Sequence, residues 1–366
     1  MTDHGLRTGT VAPTSAGPID FGPDGILFVA DNVAATVHAV DVADPGAAAA
    51  SEPFDLDDVD ARIGSLLGSD AADVAIRDLA VHPTTHNVYL SVQRGHGAAG
   101  TAVLVRIDRV DASISEVPLV DVPLATLAIT DAPAEDDERQ DVTLPLGAHE
   151  GEELPVGERT IRIQRSAIRT STITDMAYVD GMLFVAGLSN EEFSSKLRRY
   201  PFPFTGRAAD NNLEIFHVSH GQWETAAPIR VFVPYDDGRS ILASYTCTPV
   251  VHFSLADLRS GTKVVGRTVA ELGPLNQPLD MVSFVQDGAE HLLIANTSHG
   301  LLTIACADID RQEPLTQMTE PVGVPRKTEE LPGVVRLDNF GEGYVLALQR
   351  DDSGRHHLRS LKVSSL

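Results

Sequence analysis

The sequence predicts an all-β propeller, and three observations carry that expectation. An apolar strand pair with a shared pattern recurs along the chain, turn residues separate the two strands of each pair, and several pairs run on into a third strand. The clearest copy is Ile19-Asp20-Phe21, a turn at Pro23-Asp24-Gly25, then Ile26-Leu27-Phe28-Val29-Ala30-Asp31. Asp-Gly between two apolar runs is among the strongest short-range hairpin signals.

Taken in order, the second copy is a weaker one, Arg77 to Val81 with Val88 to Val92. The third is Thr174 to Gly181, ending in Asp180-Gly181, followed by Met182 to Gly187. The fourth, Ile229 to Val233 with Ile241 to Ser244, keeps an Asp236-Asp237-Gly238 turn but lacks the leading Asp. The fifth is Leu279 to Phe284, a turn at Asp287-Gly288, then Leu292 to Asn296; the sixth is Leu337-Asp338 with Tyr344 to Leu348. Third strands follow at Val37 to Val40, Val103 to Ile107, Val250 to Phe253 and Leu301 to Ile304. Six blades are expected, or seven if the gap between Arg109 and Ile173 hides another pair. The whole chain, 1–366, reads as one domain.

Between the copies, Leu56, Val59, Ile63, Leu66 and Leu67 recur at helical spacing and predict an amphipathic helix over about 56–68. Residues 131–158 form an acidic stretch punctuated by Pro and Gly, followed by Arg159, Arg162, Arg165 and Arg169. It reads as a loop insertion, either plain surface or a lid over a partner or substrate. The tail from Arg355 to Leu366 is expected to supply the last strand and close the ring.

Composition narrows the function. The 366 residues are 43% hydrophobic and 22% charged, enough to bury a core, with no run of about 20 apolar residues. With 28 basic and 52 acidic residues the net charge is −24. That argues against non-specific nucleic-acid binding and against anionic membranes, since both need clustered Lys and Arg. Met1 to Arg7 shows no apolar signal segment, and the two cysteines, Cys247 and Cys306, make no disulfide framework. A cytoplasmic, reducing setting is expected, with a small-molecule substrate as the partner.

Asp20, Asp78, Asp175, Asp280 and Asp338 each stand at the mouth of a first strand. In a propeller such positions converge on the central channel, where carboxylates repel and must share protons or a cation. Hard oxygen donors suit calcium or magnesium, with Asn190, Ser189 or Asn296 as neutral additions. The competing reading makes each Asp an acceptor for a backbone N–H of the neighbouring blade.

Other candidates are single residues. His299, leaving a second strand in Asn296-Thr297-Ser298-His299-Gly300, is either a base or ligand beside Asp280 or a solvated turn residue. Cys247 ends a second strand beside Tyr245, where a soft, copper-type site with histidines competes with a buried thiol. Cys306 reads as buried. His217 and His220 lie three apart beside Trp223, with no third ligand picked out in the same stretch for zinc. His82 and His86 bracket a hairpin turn and read as surface residues. No Gly-x-Ser-x-Gly elbow, phosphate-cradling loop, His-Glu-x-x-His or haem-attachment motif occurs.

The hairpin from Phe21 to Asp31, and its copy beginning at Asp175, resemble those of the gluconolactonase and NHL-like lactonase propellers. The resemblance implies a six-bladed ring with a divalent cation, often calcium, held in the channel by Glu, Asn and Asp. Here Asp20 stands where a Glu opens the first blade, and Asn190 and Asn296 are the Asn counterparts. The function expected is metal-assisted hydrolysis of a lactone or ester, with Asp280 or His299 taking the proton. The alternatives are a copper-type oxidoreductase at Cys247 and a non-catalytic scaffold that binds a protein or peptide.

Overall fold

The computed structural model describes residues 4–46, 52–95, 100–144, 151–156, 159–246, 249–259, 261–273, 276–317 and 322–366. Nearly all regular structure in them is antiparallel sheet, as the repeated hairpins require; the two α-helices are short, Val59–Leu67 and Cys306–Arg311. Among the described residues, no helix is long and apolar enough to cross a membrane.

Six sheets stand in a ring. Their first strands pack side by side in closed order: Ile19–Phe21, Asp175–Val179, Ile229–Tyr235, Pro278–Gln286, Val334–Asn339, Val74–Val81, and back to Ile19–Phe21. They are numbered here as blades 1 to 6 in that order. The second strands are sandwiched between neighbouring blades, which is why they are largely apolar; every residue of Ile26–Asp31 and of Ser240–Tyr245 is buried.

Ring order differs from chain order. The chain first lays down Arg7–Gly9, the outermost strand of blade 1, and that blade's three inner strands, then lends Phe54 to Leu56 to the outer edge of blade 5, and then builds blade 6. It returns with Val122–Ala128 as the next strand of blade 1 and only afterwards builds blades 2 to 5. The ring is clasped at Leu56, whose N–H donates to the Leu358 carbonyl at 3.1 Å while Leu358 N–H donates back at 2.9 Å. The tail strand His356–Lys362 is thus the third strand of blade 5, covered by a segment from early in the chain.

The expected helix forms over Val59–Leu67, with Val59 and Ile63 fully buried and Gly68 closing it at φ 66°. The acidic stretch departs from expectation. It is no plain loop: Gln140–Thr143, Glu152–Val156 and Arg159–Ala167 make a three-stranded sheet outside the ring. Ile161 and Ile163 alternate with Arg162 and Gln164, a period-two pattern that the acidic composition around it obscured.

Candidate functional site

The five aspartates, all on first strands, do the same thing. Each accepts a backbone N–H from the first strand of the next blade in one rotational sense. Asp20 takes Tyr178 at 2.9 Å, Asp175 takes Phe232 at 2.7 Å, and Asp280 takes Leu337 at 2.9 Å. Asp338 takes Val81 at 2.6 Å and Asp78 takes Ile19 at 2.8 Å. First strands of adjacent blades do not share a ladder, so their facing N–H groups need such an acceptor.

The aspartates fall in two layers. Asp78, Asp175 and Asp280, on alternate blades 6, 2 and 4, line a cavity of about 300 Å³ at the channel mouth. Asp20 and Asp338 reach only a deeper one of about 140 Å³, which the upper three also border. A bulge places the residue before Asp78, Asp280, Arg336 and Val231 outside the ladder, re-aiming these first strands at the mouth.

Enclosed by protein around a narrow channel, all five carboxyls are harder to ionise than an ordinary aspartate. Burial pushes Asp280 up to about 8, with repulsion from Asp78 adding to it and Arg336 and two N–H bonds opposing. Burial likewise pushes Asp20 and Asp338 up to about 7 against the N–H bonds they accept. Asp175 is driven well above the carboxylate range by burial and then by Asp280. Asp78 rises too, through burial, although Arg336 pulls it down. The mutual repulsion shows that the upper three share one electrostatic site.

Arginines and hydroxyls complete the mouth. Arg77, Arg230 and Arg336 line it with Asn32, Gln277, Thr143, Ser166, Thr170 and Ser171. Arg336 donates to the carbonyls of Arg77 at 2.7 Å and Leu279 at 3.0 Å and lies 3.4 Å from Asp78. Arg230 is held bidentately by Asp141 of the outer sheet, both bonds 2.7 Å, and Ser171 donates to the same carboxylate. This pair ties the three-stranded sheet over the mouth, so that Thr143 and Ser166 roof the cavity. Sequence reasoning passed over these arginines, although Arg77 adjoins Asp78 and Arg336 precedes Asp338 by two.

Several expected site residues lie elsewhere. His299 is exposed in a turn, donating its backbone N–H to Asn296 Oδ1 at 2.8 Å, with Nε2 3.1 Å from the Leu272 carbonyl; it does not line the mouth. Asn296 uses its side chain within that same turn, accepting from Ser298 and His299 and donating to Gly300. Asn190 is exposed and bonds by its backbone to Asp131, and Ser189 is buried off the cavity. The Glu-Asn-Asp donor set that the lactonase resemblance implies is therefore not assembled. Both oxygens of Asp175 and of Asp280 already accept N–H donors. Cys247 lies outside the described residues, and Cys306 is buried, as expected. His82 and His86 are buried, contrary to expectation: His82 packs edge-on against Phe21, and His86 lies against Phe340.

No family model matches the chain, and no curated protein matches it. Among solved structures it is similar to the PQQ-bound aldose sugar dehydrogenase of Streptomyces coelicolor, at 12% identity over 98% of this chain and 97% of that one, TM-score 0.37. A streptogramin B lyase aligns at 11% identity over 97% and 96%, TM-score 0.34. A putative oxidoreductase (glucose dehydrogenase) of Thermus thermophilus aligns at 12% identity over 97% and 100%, TM-score 0.34. At these identities and scores the likeness assigns no chemistry to this chain.

Proposed function

We propose that the channel mouth binds a small polar molecule and performs acid–base chemistry on it, with Asp280 as the proton-transferring group. One observation carries this reading: three carboxyls from alternate blades converge on the floor of one cavity of about 300 Å³, the size at which small-ligand sites begin. A carboxyl that titrates near neutral pH is suited both to give and to take a proton, which an ordinary surface Asp is not. Arg77 and Arg336 add positive charge beside it for a carbonyl, hydroxyl or carboxylate oxygen of the ligand. Hydrolysis of a lactone or ester is one reaction such a site could run. No step is routed through a cation, because the donor set that would hold one is not gathered there.

The test is a binding screen of sugar lactones, monosaccharides and small hydroxy acids by thermal shift, followed by product analysis on any hit. A ligand that stabilises the wild type, still binds Asp280→Asn and is no longer turned over by it supports the reading. Ligands that bind equally to wild type and to Asp175→Asn, and turn over equally with Asp280→Asn, would overturn it.

A further inference from the structure

A second cluster lies on the outer edge of blade 2, away from the mouth. His217 ends the strand Ala209–His217, Val218–His220 make a single 3-10 turn, and Gly221 at φ 62° sends the chain back. The returning strand Gln222–Glu224 pairs with the one it left, His217 opposite Gln222 and Ile215 opposite Glu224. Two imidazoles and a carboxylate are thereby brought together from eight consecutive residues. The rings of His217 and His220 lie with centroids 3.9 Å apart, tilted by 34°. Glu224 spans them, with Oε2 3.0 Å from His217 Nδ1 and Oε1 2.7 Å from His220 Nδ1. One donor atom from each of the three lies within 4.8 Å of the other two.

Hydrogen bonding accounts for part of this arrangement and leaves a remainder. Both Nδ1 atoms are satisfied by Glu224, and Gln222 Nε2 donates to the same carboxylate at 3.2 Å. His217 Nε2 has no hydrogen-bond partner among the described residues, although His217 is only 2% exposed. A buried polar atom left unpaired is costly and calls for a ligand or water. His220, with 46% of its side chain exposed, opens the cluster to solvent, so an ion can reach it.

We propose that His217, His220 and Glu224 form a binding site for a divalent transition metal, zinc by chemistry. Two imidazoles and one carboxylate are a recurring zinc set, and with three protein ligands the remaining position belongs to water. Imidazole donors favour zinc, copper, nickel or iron over calcium and magnesium. The ion takes one nitrogen from each ring and one Glu224 oxygen, and so clips the turn to the returning strand. None of these residues lines the channel mouth, so the site is independent of the acid–base reading above.

The chain supplies its own reporter. Trp223, the single tryptophan, sits beside Glu224, half-exposed and edge-on to Phe216 at 5.4 Å. Protein stripped with EDTA is titrated with zinc by calorimetry and with cobalt or copper by Trp223 quenching. The expected result is saturation at one ion per chain and a raised melting temperature. Affinity should fall by at least about tenfold in His220→Ala and in Glu224→Gln. Metal-free His220→Ala should still fold, read by far-ultraviolet circular dichroism, so that lost uptake reports the site and not an unfolded chain. His356 and His357, grouped with Asp57, Asp60 and Asp351, are a separate histidine–carboxylate cluster, and His357→Ala should leave uptake intact. Absence of saturable uptake, or uptake by His220→Ala equal to wild type, would overturn the proposal and leave a hydrogen-bonded histidine–carboxylate network.

Discussion

Asp280 of blade 4 accepts the Leu337 N–H of blade 5 at 2.9 Å, and the same relation joins five of the six blade boundaries. Blade 3 is the exception. Three residues on from its bulged Arg230, Val233 holds the register that Asp338 holds three on from Val335 in blade 5, and a valine cannot accept. The carboxyls that recur in the sequence are therefore first of all the joints of the ring. Three of them are also the floor of its mouth.

Removing a joint without touching the mouth separates the two roles. Asp338→Ala leaves the Val81 N–H, now bonded at 2.6 Å, without its acceptor. An unsatisfied buried donor costs about 1–3 kcal/mol, to be read from denaturant unfolding. Ligand binding at the mouth should persist in this variant, because Asp338 does not line that cavity. An unchanged unfolding free energy would mean that the joint carries no stability.

Stability should fall as pH rises from 6.5 to about 8. Asp20, Asp280 and Asp338 keep protons in the fold that they lose above 3.8 in the unfolded chain, so the native state binds more protons across that window. Their contribution is fully present below 3.8, declines as pH rises, and is gone above the folded values near 7 and 8. His38, His82, His86 and His252, which burial holds below 6.5, act in the opposite sense; in the unfolded chain they are half titrated at 6.5 and spent only by about 7.5, so the fall is clearest in the upper part of the window. Asp280→Asn should flatten the slope by up to about 1.4 kcal/mol per pH unit. Unfolding free energies that stay level or rise over this range would contradict the protonated ring.

The roof depends on one buried ion pair. Arg230 and Asp141 retain 9% and 6% side-chain exposure, so Arg230→Ala leaves a buried carboxylate uncompensated and should cost about 3–5 kcal/mol. Arg230→Met with Asp141→Leu should recover most of that loss. Limited proteolysis should cut the three-stranded sheet first in the single variant. Equal protease resistance in Arg230→Ala and wild type would show that the sheet is held by other contacts.

The sequence carried the ring in its local chemistry. The Asp-Gly turns and apolar second strands were legible because hairpins are specified by neighbours in sequence. The aspartates were legible as a set, together with both uses their position allows. Their two layers were not, since a bulge shifts the register without leaving a mark in composition. The fourth strand of blade 1 escaped for a related reason: Val122–Ala128 joins it from across the whole of blade 6, a pairing set by tertiary contact. His299 and Asn296 stand where a second strand leaves for the channel, yet Asn-Thr-Ser-His-Gly is turn chemistry that consumes its own side chains. Glu224 was missed because strand pairing, and not helical spacing, returns it to His217.

The central claim is that the Asp280 carboxyl at the mouth holds its proton at neutral pH, and carbon-detected NMR titration of the aspartate side chains tests it most directly. Asp280→Asn and Asp338→Asn spectra would assign the signals. The account predicts that Asp280 titrates near 8 and Asp338 near 7, far above the ordinary value of 3.8. An Asp280 carboxyl that titrates near the ordinary value would contradict it, and would remove the acid–base role from the channel mouth.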